Sequence, residues 1–166
     1  MAEGEFALVT DRLTDALALS GQPVKRGTMA HEHIVYVMVV DALAASEDCV
    51  GIAAHAPRLV ELAGRDEHAP YLAVARRALG VANRLMREYD EAETQLAAAL
   101  ALFEERGMDW QAGRTLFELG KLQLARDQHE AAGEFFSRAL EAFERIGARP
   151  SLERTRMALE AVRETD

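Results

Sequence analysis

The chain repeats itself at an interval of forty residues. REYDEAETQLAAAL, from Arg87 to Leu100, is echoed by DQHEAAGEFFSRAL, from Asp127 to Leu140. Laid without a gap, positions 78–115 and 118–155 share ten identities in 38. They include Leu79-Gly80 with Leu119-Gly120, Ala92 with Ala132, Ala99-Leu100 with Ala139-Leu140, Phe103 with Phe143, and Gly107 with Gly147. Alanine richness does not supply matched Leu-Gly pairs or a matched Phe…Gly spacing. A chain built this way stacks copies of one small unit, each covering the apolar face of the next.

Each unit reads as two helices. The first spans about Pro70 to Met86 and recurs from Trp110 to Arg126; the second spans about Tyr89 to Arg106 and recurs from His129 to Ile146. Pro70 and Pro150 suit a first helical turn, and Gly107 and Gly147 suit left-handed C-terminal caps. The rows Ala92, Leu96, Ala99, Phe103 and Ala132, Phe136, Ala139, Phe143 keep helical spacing and put small and large residues on one face. Phe103, Phe136 and Phe143 are assigned to the core.

Upstream the pattern decays. Ala30–Ala45 is expected as a first helix. A second helix is expected after a cap at Ser46, with the stripe Cys49, Ala53, Ala56, Val60, closed by Gly64. Pro57 predicts a kink there, or a late start near His55. Glu5–Ser20 reads as a further helix, followed by a loop at Gly21-Gln22-Pro23, and Pro150–Arg163 as a first helix without a partner. In that last helix Leu152, Met157, Leu159 and Val162 need covering, by the array or by a second copy.

The spacing Leu79-Gly80, Ala92, Leu96, Ala99, and the same spacing in Leu119-Gly120, Ala132, Phe136, Ala139, resembles the tetratricopeptide repeat. Its usual tryptophan is here Arg76 and Leu116, its usual tyrosine Asn83 and Gln123, and its period 40 rather than about 34. Such long repeats are similar to those in the helical regions of large bacterial transcription regulators and signalling ATPases. The resemblance implies an all-α solenoid of antiparallel helix pairs, a right-handed superhelix of seven to eight helices in one domain over 1–166. Residues 1–69 form degenerate helices, 70–109 and 110–149 two repeats, and 150–166 a capping helix. It also implies that the first helix of each pair lines a concave face.

Charge follows the same division. Residues 71–87 carry +4, 88–109 carry −6, 110–126 carry +2 and 127–149 carry −2, on a chain of net −9. First helices are basic on an acidic protein. The groove positions that the family implies are Val74, Arg77, Val81 and Arg84, then Arg114, Phe117, Lys121 and Leu124, then Arg154. One reading is a basic groove that takes an acidic peptide or an anionic small molecule, since the planar guanidinium fork suits carboxylate and phosphate. The other is a set of solvated faces with local pairs Arg84–Glu88 and Arg114–Glu118, or basic first helices complementing acidic second helices. Phe117 is either a groove anchor or core.

Catalytic signatures are missing. The chain contains no phosphate loop, G-x-S-x-G or dinucleotide fingerprint, and no cofactor is expected. The lone Cys49 reads as inert core, and one cysteine fits a reducing compartment. His31-Glu32-His33 has the wrong spacing for two ligands on one helix face, so no metal is expected. Net charge −9 argues against direct nucleic-acid binding. The most apolar run, Ile34–Ala45, is broken by Asp41 and too short for a membrane span. The expectation is a cytoplasmic, non-catalytic module that binds an acidic protein or peptide, with a homodimer through the terminal helices as a further possibility. The alternative is a small-effector sensor domain of a bacterial transcription regulator.

Overall fold

The computed structural model describes residues 29–164 and shows seven helices there: α1 (Met29–Ala45), α2 (Cys49–Arg65), α3 (Ala69–Leu85), α4 (Tyr89–Glu105), α5 (Asp109–Ala125), α6 (His129–Ile146) and α7 (Arg149–Arg163). Among the described residues there is no strand. Glu5–Ser20 and Gly21-Gln22-Pro23 lie outside the described residues. Each helix packs on the next, and α3 also touches α1 and α5. The connectors are two or three residues long, which forces neighbours to run antiparallel.

Helix starts fall at 29, 49, 69, 89, 109, 129 and 149, a spacing of twenty. The device behind this is a repeated left-handed residue at Glu47, Glu67, Arg87, Gly107, Asp127 and Gly147, with φ between 52° and 66°. At each, the next N–H bonds back five residues, as Asp48 to the Leu43 carbonyl (3.0 Å) and Glu88 to Asn83 (2.8 Å). The left-handed residue itself bonds back three, as Arg87 to Arg84 (3.1 Å). This is the Schellman motif. The residue that closes it then caps the following helix, as Glu88 does by accepting from Ala92 at 2.9 Å. Only two of the six positions are glycine, so four carry side chains in a conformation that costs about 1–2 kcal/mol. Arg87→Gly relieves that strain but frees the unfolded chain. The net expectation is a stabilisation of about 0.5–1 kcal/mol, read by thermal unfolding. A lowered melting temperature would show that the Arg87 side chain matters more than its backbone.

The core interleaves the two helix types. A Cβ on Gly80 would stand 2.6 Å from Leu96 Cγ, and one on Gly120 only 2.5 Å from Phe136 Cε1. The Leu-Gly signature therefore marks where a large residue of the second helix seats on the first. Forty residues earlier Val40 and Ala56 hold the equivalent positions, both fully buried. The sizes are exchanged there: a larger residue on the first helix, a smaller one on the second. Phe103, Phe136 and Phe143 are core, as expected.

Several upstream expectations are corrected. The buried row of α2 is Ile52, Ala56, Leu59, Ala63, forty before Ala92, Leu96, Ala99, Phe103. Of the expected stripe only Ala56 is buried; Ala53 is exposed and Cys49 and Val60 are half-buried. Alanines on every face allowed a stripe to be drawn in the wrong register. Asp48, not Ser46, caps α2, accepting from the Gly51 N–H at 2.9 Å. Gly64 lies inside the helix, and Glu67 takes the left-handed turn. Pro57 does not delay the start, because α2 runs from Cys49 through it. Pro57 and Ala53 both lie on the exposed side, where water can satisfy the carbonyl that proline leaves unpaired. In α7, Val162 is buried and Leu152 and Leu159 are half-buried against the core, while Met157 stays 70 % exposed.

Candidate functional site

The expected basic residues converge on the face made by α1, α3, α5 and α7, but they do not stand alone there. Arg77, from the middle of α3, is 2 % exposed. Its guanidinium donates to Asp41 Oδ1 (2.7 Å) and Gln111 Oε1 (2.6 Å) and lies 5.4 Å from the Phe103 ring centre. Arg114 of α5 donates to the other oxygen of Asp41 at 2.7 Å. Arg84 donates to Glu47 Oε1 at 2.7 Å, and Lys121 bonds the same oxygen. Glu118 Oε2 stands 3.2 Å from Lys121 Nζ and 3.6 Å from Arg84 Nη2.

The pairing corrects the local scheme of Arg84–Glu88 and Arg114–Glu118. The carboxylates that face these cations come mainly from α1 and its cap, 36 to 74 residues away in sequence. Second helices complement the basic first helices elsewhere, where Arg126, the C-terminal cap of α5, meets Asp90 and Glu93 of α4 at 2.7 and 2.6 Å.

Burial and charge oppose each other in this cluster. Burial raises the Asp41 carboxyl, but Arg77 and Arg114 outweigh it and hold the group below its ordinary 3.8. Glu47 is likewise raised by burial and held below 4.5 by Lys121 and Arg84. Arg77 is pushed down to about 10, first by burial and then by Arg114, with Asp41 opposing. It stays charged at neutral pH.

Phe117 is core, 6 % exposed, with its ring 5.3 Å from Phe136. It still touches the face, because Arg154 lies 4.1 Å over the ring and Lys121 6.0 Å from it. Arg154 is exposed and makes no ion pair among the described residues. Arg77, Val81, Arg114, Lys121 and Arg154 line one cleft of about 60 Å³, together with Ala44, Ala45 and Glu118. Arg84 lies beside it on Glu47. Val74 is buried and Leu124 half-buried.

His33, from the triplet weighed as a metal motif, is buried, with Nε2 2.9 Å from Asp66 Oδ2 and 3.3 Å from the Leu62 carbonyl. Both neighbours are acceptors, so that nitrogen carries the proton. Among the described residues no cluster of three or more His, Cys, Asp or Glu side chains could hold a metal, and no helix is long and apolar enough to cross a membrane.

The family model of the tetratricopeptide repeat matches residues 71–145, the span over which the paired helices and their Leu-Gly seats recur. Over those residues the chain is built of tetratricopeptide repeats. A crystal structure of BtubC (BKLC) from P. vanneervenii has the same fold, with TM-score 0.59 and 14 % sequence identity over 98 % of this chain and 75 % of that one. No curated protein matches the chain. Tetratricopeptide repeats generally mediate protein–protein interaction.

On this face, sequence reasoning missed Asp41 and Glu47. Asp41 registered only as an interruption of the apolar run Ile34–Ala45. A signal was present, since Asp41 lies forty residues before Val81 and eighty before Lys121. A charge at that register, in the otherwise apolar run Ile34–Ala45, faces the same surface as Lys121 does.

Proposed function

We propose that this chain is a non-catalytic, cytoplasmic protein-interaction module that takes an acidic peptide or partner surface against the face of α1, α3, α5 and α7. One observation carries the reading. Arg77, Arg84, Arg114, Lys121 and Arg154 meet only Asp41, Glu47 and Glu118 there. That leaves a surplus of two positive charges on a chain of net −9. Arg154 is the exposed member of the surplus. Its planar fork is free to bond a carboxylate twice, and the adjoining cleft of about 60 Å³ suits a group of that size. Sites for larger small molecules run to about 300–1,000 Å³, so this cleft serves the effector-sensor alternative poorly.

Arg154→Glu separates binding from folding better than a change at Arg84 or Lys121, which are tied to Glu47 and Glu118. Wild-type and Arg154→Glu chains of matched melting temperature would be used as baits in native-source lysate, with captured proteins identified by mass spectrometry. The expected result is an acidic protein held by the first bait, released by salt, and lost from the second. The same proteins on both baits would remove this face from the interaction.

A further inference from the structure

Asp41 in α1 and Glu47 in the turn after it are bound alike across the face. Each is held by one cation from α3 and one from α5: Asp41 by Arg77 and Arg114, Glu47 by Arg84 and Lys121. The two rungs lie in register. Arg77 to Arg84, and Arg114 to Lys121, are each seven residues, a rise of about 10 Å along parallel helices.

Helices α1 and α5 are not packing neighbours in the array. Helix α3 lies between them and touches both. The side chains of Asp41 and Glu47 reach past it, over 73 and 74 residues of sequence. The inner rung is built into the core, since Arg77 is 2 % exposed and also anchored on Gln111. The outer rung is looser. Glu47 is more exposed than Asp41, and Arg84 Nε is buried without a hydrogen-bond partner.

The geometry points to an autoinhibitory latch. Asp41 and Glu47 occupy, from within the chain, the cations that would otherwise face an acidic partner, and they fasten α1 across α3 to α5. Engagement of the full basic set requires α1 to give up these bonds. Arg154 is the part that meets a partner first, because it is exposed and pairs with no carboxylate of the described residues. The latch itself rests only on the ion-pair geometry. Its competition with a ligand rests on the acidic-partner reading.

The test compares wild type with D41N/E47Q by two readouts: amide hydrogen exchange along the chain, and binding of a fluorescent hexaglutamate probe at low salt. The latch predicts that in the variant the amides of α1 speed up at least tenfold more than those of α4 to α6. It also predicts that hexaglutamate binds the variant at least tenfold more tightly. Unchanged exchange in α1 with unchanged probe affinity overturns the proposal. Faster exchange in α1 with no probe binding to either chain keeps the latch and overturns the acidic-partner reading, so the two failures are told apart. Should the double variant lose its fold, E47Q alone removes the outer rung and leaves Asp41 on Arg77. The same two readouts then apply, with the change confined to the C-terminal end of α1.

Discussion

Asp41→Ala is expected to lower the free energy of unfolding by about 3–5 kcal/mol, measured by urea denaturation at neutral pH. The loss comes from what is left behind. Arg77 is 2 % exposed, and without Asp41 it keeps only the neutral Gln111 as a hydrogen-bond partner while Arg114 stands close by. A buried charge stripped of its counter-ion is far more costly than the pair was favourable. The exposed pair Arg145–Asp109, at 3.0 Å, is the contrast. Arg145→Ala is expected to change stability by less than about 1 kcal/mol. Equal effects at the two sites would mean that the cluster is a surface network in energetic terms.

The same cluster fixes a pH dependence. Asp41 and Glu47 have folded-state pKa values held below 3.8 and 4.5, so the folded chain binds these protons less readily than the unfolded one. Their contribution is complete above those ordinary values and is lost as the pH falls through the lowered ones. Wild type should therefore lose stability as the pH drops below about 4.5, and D41N/E47Q should lose less over the same interval.

Phe136→Ala is the second large effect, expected to cost about 3–5 kcal/mol. Phe136 is fully buried, lies against the missing side chain of Gly120 and packs on Phe117. Truncation empties a seat that no neighbouring group is shaped to refill. The first pair of described helices supplies a control. Val40 and Ala56 occupy the positions of Gly120 and Phe136 with the sizes exchanged. Gly120→Val alone drives a side chain into Phe136 and should destabilise by about 1–3 kcal/mol or more. In the Phe136→Ala background it fills space instead. The double variant should be more stable than the sum of the two single losses, a coupling that a double-mutant cycle in urea reads directly. Strict additivity would show that Gly120 and Phe136 do not form one seat.

How far the sequence was legible depended on what kind of residue carried the information. Helices α3 to α7 were readable to within a residue or two, because Leu-Gly seats, the small-and-large rows and Gly107 or Gly147 all mark the same boundaries. Helix α2 was read in the wrong register. Its true row, Ile52, Ala56, Leu59, Ala63, lacks both the glycine opposite and the large aromatic, so a row through Cys49 and Ala53 competed with it. The turns at Glu47, Glu67, Arg87 and Asp127 were illegible for a different reason. Their left-handed backbone is imposed by two helices that must meet at fixed spacing, and nothing in an acidic or basic side chain announces it.

The basic residues of the candidate face were found from charge segregation together with the groove positions that the family resemblance implies. Their partners were not, since pairing over 36 to 74 residues depends on how the helices stack. Local rules offered Glu88 and Glu118 instead. Only Glu118 enters the cluster, and it faces Lys121 and Arg84 rather than Arg114.

The shared caps make the array modular in whole steps. At each connector a single residue both seals one helix and starts the next, so there is no slack in which an extra residue could be absorbed. One residue inserted within a helix would turn the rest of that helix by about 100° about its axis, moving seats such as Gly120 off their partners. Twenty residues, or forty to preserve helix type, can be added or removed without that rotation. The natural splice points for lengthening or shortening this protein are therefore the left-handed residues themselves, each an existing joint between interchangeable parts.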